Sequence, residues 1–152
     1  MTKFVYKMES ILNIKYKMEE QAKTAYGNAR LRLTEEEEKL EAYRRKLVDY
    51  QGGLREFMQS RLNLAEIQRL ENAVEVMKVY ISRQQIAVKK AEQQLEAARV
   101  RLRAAMMERK THEKLKDKAF ENFKLEYEAD QRKEIDELVS FQYNRPAGGQ
   151  EE

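Results

Sequence analysis

The chain contains no cysteine, a single proline and five glycines in 152 residues. Without cysteine it can form no disulfide, thiolate metal site or thiol nucleophile, which also fits a cytosolic location. The proline is Pro146, and two of the glycines follow it closely, so the strongest helix breaker is confined to the C-terminal tail. β-Sandwich and α/β folds need many more turn residues, and we therefore exclude both.

Long apolar runs are also missing. No stretch approaches the roughly 18 residues of a membrane-spanning helix, and Met1–Tyr16 alternates lysine with apolar residues, unlike the core of a signal peptide. Charged residues make up 38% of the chain, but the net charge is only +3. This near balance does not require nucleic acid. We expect no membrane span, no signal peptide and no nucleic-acid partner.

Helix-forming residues are abundant: Ala, Glu, Lys, Leu and Arg make up more than half of the chain. Apolar residues recur at alternating spacings of three and four, which predicts two coiled-coil seams. The first predicted seam contains Phe4, Met8, Ile11, Lys15, Met18, Ala22, Tyr26, Ala29, Leu33, Glu36, Leu40, Tyr43, Leu47, Tyr50, Leu54 and Phe57. The second contains Ile67, Leu70, Val74, Met77, Ile81, Gln84, Val88, Ala91, Leu95, Ala98, Leu102, Ala105, Arg109, His112, Leu115, Ala119, Phe123, Tyr127, Ile135, Leu138 and Phe141. Two consecutive steps of four, from Met18 to Tyr26, predict a stutter in the first seam.

A turn between the seams is indicated by Asn63, a preferred N-cap residue, with Glu66 as its capping-box partner. The sequence therefore predicts helix 1 over about 4–58, a turn over about 59–63 and helix 2 over about 64–142, together a hairpin domain of residues 1–144. A disordered tail is predicted for 145–152. Gly52–Gly53 is a weak point near the end of helix 1, and an earlier turn there is the alternative. Because a short turn joins antiparallel neighbours, the predicted fold class is all-α, a single long antiparallel two-helix coiled-coil hairpin.

The register of the predicted hairpin follows from pairing the two seams outward from the turn. Leu54 then lies opposite Ile67, and the polar Glu36 lies opposite the polar Gln84. In this register Phe4 falls opposite about residue 116. Helix 2, at about 115 Å, is longer than helix 1, at about 80 Å, and overhangs it at the C-terminus. The apolar residues of the overhang have no partner within the chain, which predicts a binding partner.

No motif for catalysis or for cofactor binding is present. His112 is the only histidine, predicted opposite Met8, and Glu108 is the only carboxylate one turn away from it, which is a poor metal-ligand set. There is no glycine-rich phosphate loop and no nucleophile elbow. The basic segment Arg99–Lys118 and the acidic segment Glu121–Glu137 suit docking into a charged protein channel. We expect a non-enzymatic protein without catalytic residues, metal or cofactor.

Three stretches resemble the FliJ family of flagellar type III export proteins. They are the N-terminal run Phe4–Lys15, which Glu19–Ala22 follows, the segment Lys46–Gln51, and the charged segment Asp130–Glu137. The resemblance implies a gamma-subunit-like stalk in the hexameric flagellar export ATPase, with an export-gate membrane protein and export chaperones as further partners. It also implies a role in flagellum biogenesis, motility and chemotaxis, and a location in the cytoplasm at the cytoplasmic face of the cell membrane. Two alternatives remain: the stalk of an injectisome type III secretion system, and a structural homo-oligomeric coiled coil.

The resemblance also assigns candidate docking residues. The paired N- and C-terminal end, not the turn, is expected to enter the ATPase ring, and the protein alone is expected to be a monomer. The ATPase-docking residues are Phe4, Met8, Ile11, Phe123, Tyr127, Ile135, Leu138 and Phe141. The residues expected to bind the export gate form a wide apolar stripe near the turn: Tyr43, Leu47, Tyr50, Leu54, Leu70, Ala73 and Met77.

Overall fold

Two long helices make up the fold. The computed structural model describes residues 3–60 and 63–144, in which α1 spans Glu9–Ser60 (52 residues) and α2 spans Leu64–Tyr143 (80 residues). No strand occurs in these two ranges. The predicted all-α, two-helix coiled-coil class is confirmed. Residues 61–62 of the predicted turn and the predicted disordered tail, 145–152, lie outside the described residues.

The helix starts differ in part from the sequence-based expectation. Helix 1 was expected from about residue 4, but α1 begins at Glu9, whose amide nitrogen donates to the Tyr6 carbonyl at 3.3 Å. At the start of α2, the Ile67 amide donates to the Asn63 carbonyl at 3.0 Å. This is the first hydrogen bond of the helix, which the carbonyl of an N-cap residue accepts. The carboxylate of Glu66, predicted as a capping-box partner, instead accepts two hydrogen bonds from the Arg69 guanidinium.

The chain divides into two compact units. Unit 1 consists of Met1–Tyr16 and Met107–Glu152, and unit 2 consists of Lys17–Met106. Each unit therefore contains a segment of α1 and a segment of α2, and each is described separately below.

In unit 2 the two helices run antiparallel around an apolar seam. Its buried apolar side chains are Leu40, Ile67, Leu70, Val74, Met77 and Ala91. The seam also contains the predicted polar layer, in which the Gln84 side-chain amide donates to the Glu36 carbonyl at 2.9 Å and to the Glu36 carboxylate. Because a buried amide needs hydrogen-bond partners, this layer favours one register over its neighbours.

The predicted stutter in helix 1 is wrong. Glu19 is 4% exposed and takes the seam position, whereas Met18 is 45% exposed. The spacing of three and four therefore continues without interruption from Glu19 through Ala22 to Tyr26. The many apolar layers on the turn side set this phase, and burying Met18 would require local unwinding. The cost of burying Glu19 is reduced by the Lys23 ammonium, 3.8 Å from its carboxylate.

The glycine pair of α1 is helical and has negative φ, so its conformation needs no glycine. A Cβ atom at Gly53 would lie 3.8 Å from Leu70 Cδ1, an ordinary contact, and one at Gly52 would meet nothing within 4 Å. We therefore expect Gly52→Ala and Gly53→Ala each to stabilise the hairpin, by about 0.5–1 kcal/mol, through higher helix propensity. Chemical denaturation followed by circular dichroism measures this, and a loss of stability in either variant would contradict the packing described.

In unit 1 the contacts of Phe4 and Lys116 differ from the predicted ones. The ring of Phe4 packs against Phe120, with centroids 5.1 Å apart, and against Phe123 at 5.3 Å, not opposite residue 116. Lys116 instead pairs with Glu9, with nitrogen and oxygen 2.8 Å apart. Residues 3–8 lie before α1 and are not helical, and such a chain advances further per residue than a helix, so Phe4 reaches further along α2. Within α1, Leu12, 2% exposed, takes the seam position that was assigned to Ile11.

Three predicted seam residues of unit 1 are exposed. Met8 is 50% exposed, Ile11 38% and Leu115 47%, and Met18 of unit 2 shares this outcome. On α2 the half-buried Lys116 occupies the seam position that was assigned to Leu115. These corrections have one cause, since apolarity favoured Ile11 and Leu115 while the heptad phase selects their neighbours.

Candidate docking surfaces

The C-terminal part of α2 in unit 1 has no partner helix. From Lys124 to Asn144 every described residue is exposed, and we call this segment the overhang. It carries four of the predicted docking residues: Tyr127 (37% exposed), Ile135 (56%), Leu138 (63%) and Phe141 (73%). A fifth, Phe123, is half-buried, stacks on Tyr127 with ring centroids 6.3 Å apart, and marks the end of the paired seam. Exposed apolar groups of this size on one helix indicate a surface for binding.

The apolar stripe of the overhang does not continue the seam that faces α1. Beyond Phe123, the spacing of three and four places polar residues at the seam positions: Glu126, Asp130, Lys133, Glu137 and Ser140. At about 100° per residue, Phe123, Tyr127, Ile135, Leu138 and Phe141 form a neighbouring stripe about 120° wide. The predicted extension of the second seam through Tyr127, Ile135, Leu138 and Phe141 is therefore wrong. The polar positions end the two-helix coiled coil, and the apolar stripe of the overhang lies beside the seam positions rather than on them.

A second exposed surface of unit 1 is formed by both helices. Lys15 and Glu108 are paired at 2.8 Å across the two helices, and one heptad further along α2 the position equivalent to Glu108 is Leu115. Met8 lies just before the start of α1. Met8 and Leu115 are both exposed, and so is Ile11, which lies on α1 between Met8 and Lys15. Three exposed lysines lie close to them along the chain: Lys7 beside Met8, and Lys114 and Lys118 within one turn of Leu115. We call the six residues Met8, Ile11, Leu115, Lys7, Lys114 and Lys118 the basic patch.

Several ion pairs and hydrogen bonds of unit 1 join the two helices. Tyr16 donates a hydrogen bond to Glu113, which raises the pKa of the Tyr16 phenol. The hydrogen bond from Lys15 lowers the pKa of the Glu108 carboxyl. His112 has a buried Nδ1 atom without a hydrogen-bond partner.

No arrangement for chemistry is seen in the described part of the chain. It contains no group of three His, Asp or Glu side chains that could hold a metal ion. The predicted docking residues therefore remain the candidate functional groups, and the structure places Phe4 in the aromatic cluster of unit 1 and Met8 and Ile11 at its surface.

The predicted gate-binding residues lie together in unit 2 but differ in exposure. Leu70 and Met77 are buried in the seam, with 6% and 7% of their surface exposed. The residues that are half-buried, and can offer part of their surface, are Tyr43, Leu47, Tyr50, Leu54 and Ala73. Tyr80, 44% exposed, stacks on Tyr43 with ring centroids 5.8 Å apart and was missed. The sequence feature that could have identified Tyr80 is its position as an aromatic residue directly beside the seam residue Ile81.

Two antiparallel helices packed along a heptad seam define a two-helix coiled-coil protein with exposed apolar surfaces. The chain matches the family described as the flagellar FliJ protein over residues 4–148, and it belongs to this FliJ family. The resemblance inferred from the sequence is thereby confirmed. The chain is a stalk-like protein of type III export, in a family of non-catalytic export components.

A solved structure has a similar fold. It is the structure of a putative YscO homolog, CT670, from Chlamydia trachomatis, with a TM-score of 0.64 and 21% sequence identity, covering 93% of this chain and 96% of that one. At this identity the likeness concerns the fold alone. No curated protein matches the chain. Neither described helix has a segment apolar enough to cross a bilayer.

Proposed function

We propose that the protein is the stalk of the flagellar export ATPase and that unit 1, which contains both chain termini, docks in the hexameric ring. The observation that carries this proposal is the overhang, where every described residue from Lys124 to Asn144 is exposed and an apolar stripe has no partner. Family membership supports the export apparatus as the setting. The function is binding rather than catalysis, and it serves flagellum assembly and motility, including chemotaxis.

The contacts of docking are apolar, and the charges around them direct the encounter. The stripe of the overhang offers Tyr127, Leu138 and Phe141, each more than a third exposed. Burying such side chains contributes about 1–3 kcal/mol each. Exposed charges add little affinity in water but raise the rate of association. Phe4, Phe123 and Ile135 complete the docking surface, together with Met8 and Ile11.

The cognate ATPase tests this proposal directly. The protein should copurify with the hexamer and increase its rate of ATP hydrolysis, and Leu138→Ala combined with Phe141→Ala should weaken both effects. Val139→Ala is the matched control, because Val139 is also 55% exposed but lies on another face of the overhang. An ATPase that neither binds the wild-type protein nor responds to it would reject the proposal.

The gate-binding surface is proposed to lie in unit 2, around Tyr43, Tyr50 and the neighbouring Tyr80. It would connect the stalk to the export-gate membrane protein and hold the protein peripherally at the cytoplasmic face of the membrane. Export chaperones are the third proposed class of partner, escorted by the same protein. Two adjacent tyrosine rings with partial exposure support this surface, since aromatic residues are favoured at protein interfaces.

Tyr50→Ala tests the gate surface. Because Tyr50 is half-buried, we expect weaker binding to the cytoplasmic part of the gate, with a loss of stability no larger than the roughly 1 kcal/mol typical of point mutants. Tyr26→Ala is a matched control, since Tyr26 is half-buried at another layer of unit 2. Binding and thermal unfolding are measured on both variants. Equal gate affinity in the two variants would mean that Tyr50 only packs the seam.

An injectisome stalk is the second candidate, and the observation that favours it is the fold shared with the putative YscO homolog. Parallel binding assays with a flagellar export ATPase and an injectisome ATPase distinguish the two. A clear preference for the injectisome enzyme would replace the flagellar assignment.

A further inference from the structure

We propose that two copies of the protein associate through unit 1, with the overhang of each copy lying on the basic patch of the other. This proposal does not depend on docking into the ATPase. It concerns what covers two exposed apolar surfaces of unit 1 when no other protein is present.

The first argument is charge complementarity. The overhang, 124–144, carries six acidic and three basic side chains. The basic patch carries three lysines close along the chain to Met8, Ile11 and Leu115, and the nearby carboxylates of Glu9 and Glu108 are already paired with Lys116 and Lys15. Glu121 borders the patch, three residues after Lys118. Opposite charges around two apolar surfaces favour association and fix its orientation.

The second argument is that each surface has a size and chemistry suited to the other. The overhang stripe presents Tyr127, Leu138 and Phe141, with Glu134 and Glu137 beside it. One shallow depression is lined by Glu134, Glu137, Leu138 and Phe141. The basic patch presents apolar side chains from two helices with lysines close to them along the chain. A helix that lies on two others buries its apolar stripe in the groove between them, as in a three-helix bundle.

The third argument excludes other occupants from the same protein. Helix α2 is unbroken from Leu64 to Tyr143 and carries both Leu115 and the overhang, so an overhang cannot fold back onto its own patch. Pairing of two overhangs with each other would bring two acidic segments together, which is unfavourable. Each copy supplies one overhang and one patch, so a reciprocal pair closes with two-fold symmetry. The monomer expected from the sequence is then the dissociated form, favoured at low concentration.

Charge reversal tests this pairing on the full-length protein. Sedimentation velocity of the wild type at about 0.05 M salt, over a range of concentrations, should show a monomer–dimer equilibrium that weakens at about 0.5 M salt. Glu134→Lys with Glu137→Lys should weaken the dimer at least tenfold, and so should Lys114→Glu with Lys118→Glu. Glu126→Lys with Asp136→Lys, which changes the net charge equally at positions further from the apolar stripe, is the control and should leave the dimer intact.

Mixing the two disruptive variants gives the decisive result. One then has a basic overhang and a basic patch, and the other has an acidic overhang and an acidic patch, so only the mixed pair is complementary at both contacts. We expect the mixture to form dimers that neither variant forms alone, with helical content unchanged by circular dichroism. A wild type that stays monomeric up to about 100 µM, or a mixture that stays monomeric, would overturn the proposal.

Discussion

Truncation after Lys124 is expected to abolish binding to the export ATPase while leaving a stable helical hairpin. The deletion removes the exposed stripe of the overhang but keeps Phe4 packed against Phe120 and Phe123. Residues beyond Lys124 are exposed throughout the described range, so their loss removes little buried surface. We expect ATPase affinity to fall at least a hundredfold, equivalent to about 2.7 kcal/mol, and thermal unfolding to change by only a few degrees.

A second truncation, after Asn144, serves as the control for this result. It removes only the tail, 145–152, and should bind the ATPase like the full chain. Calorimetric titration of the ATPase with both truncated proteins gives the comparison. Wild-type stimulation of ATP hydrolysis by the shorter protein would show that the overhang is not the docking element.

Leu12→Ala is expected to have the largest effect on stability among single substitutions in unit 1. Leu12 is 2% exposed, and removing a buried leucine costs about 2–5 kcal/mol because a cavity remains. Ile11→Ala, at a position 38% exposed, should cost less than about 1 kcal/mol. Urea unfolding of both variants at low protein concentration measures the difference. If Ile11→Ala were the more destabilising substitution, the seam predicted from apolarity would be right and the described register wrong.

The seam was predictable where apolar residues occupy it. From Ala22 to Phe57 and from Ile67 to Ala105 the predicted and observed seams coincide, and the Glu36–Gln84 layer fixes their relative register. Prediction failed where a seam residue has an apolar neighbour that also fits the pattern, as at Leu12, Glu19 and Lys116. Apolarity alone selects the wrong neighbour at such positions. The phase must be extended from the well-determined layers instead.

The candidate site was predictable to a similar degree. Aromatic and aliphatic residues beyond the reach of helix 1 indicated the overhang without any structure. The basic patch was not accessible in this way, because it depends on which residues of two helices share a side of unit 1. The Lys15–Glu108 ion pair identifies that side, and with it the position of Leu115 one heptad further along α2. Self-association and ATPase docking would use overlapping surfaces, so the two are expected to compete.

The central claim is that unit 1, rather than the turn, enters the ATPase ring. A photoreactive residue introduced at Leu138, 63% exposed in the overhang, tests it most directly when the protein is irradiated together with the cognate ATPase hexamer. A residue at Met58, 57% exposed near the turn, is the matched comparison. The account predicts crosslinks to the ATPase from position 138 and none from position 58. Crosslinks from position 58 alone would contradict it.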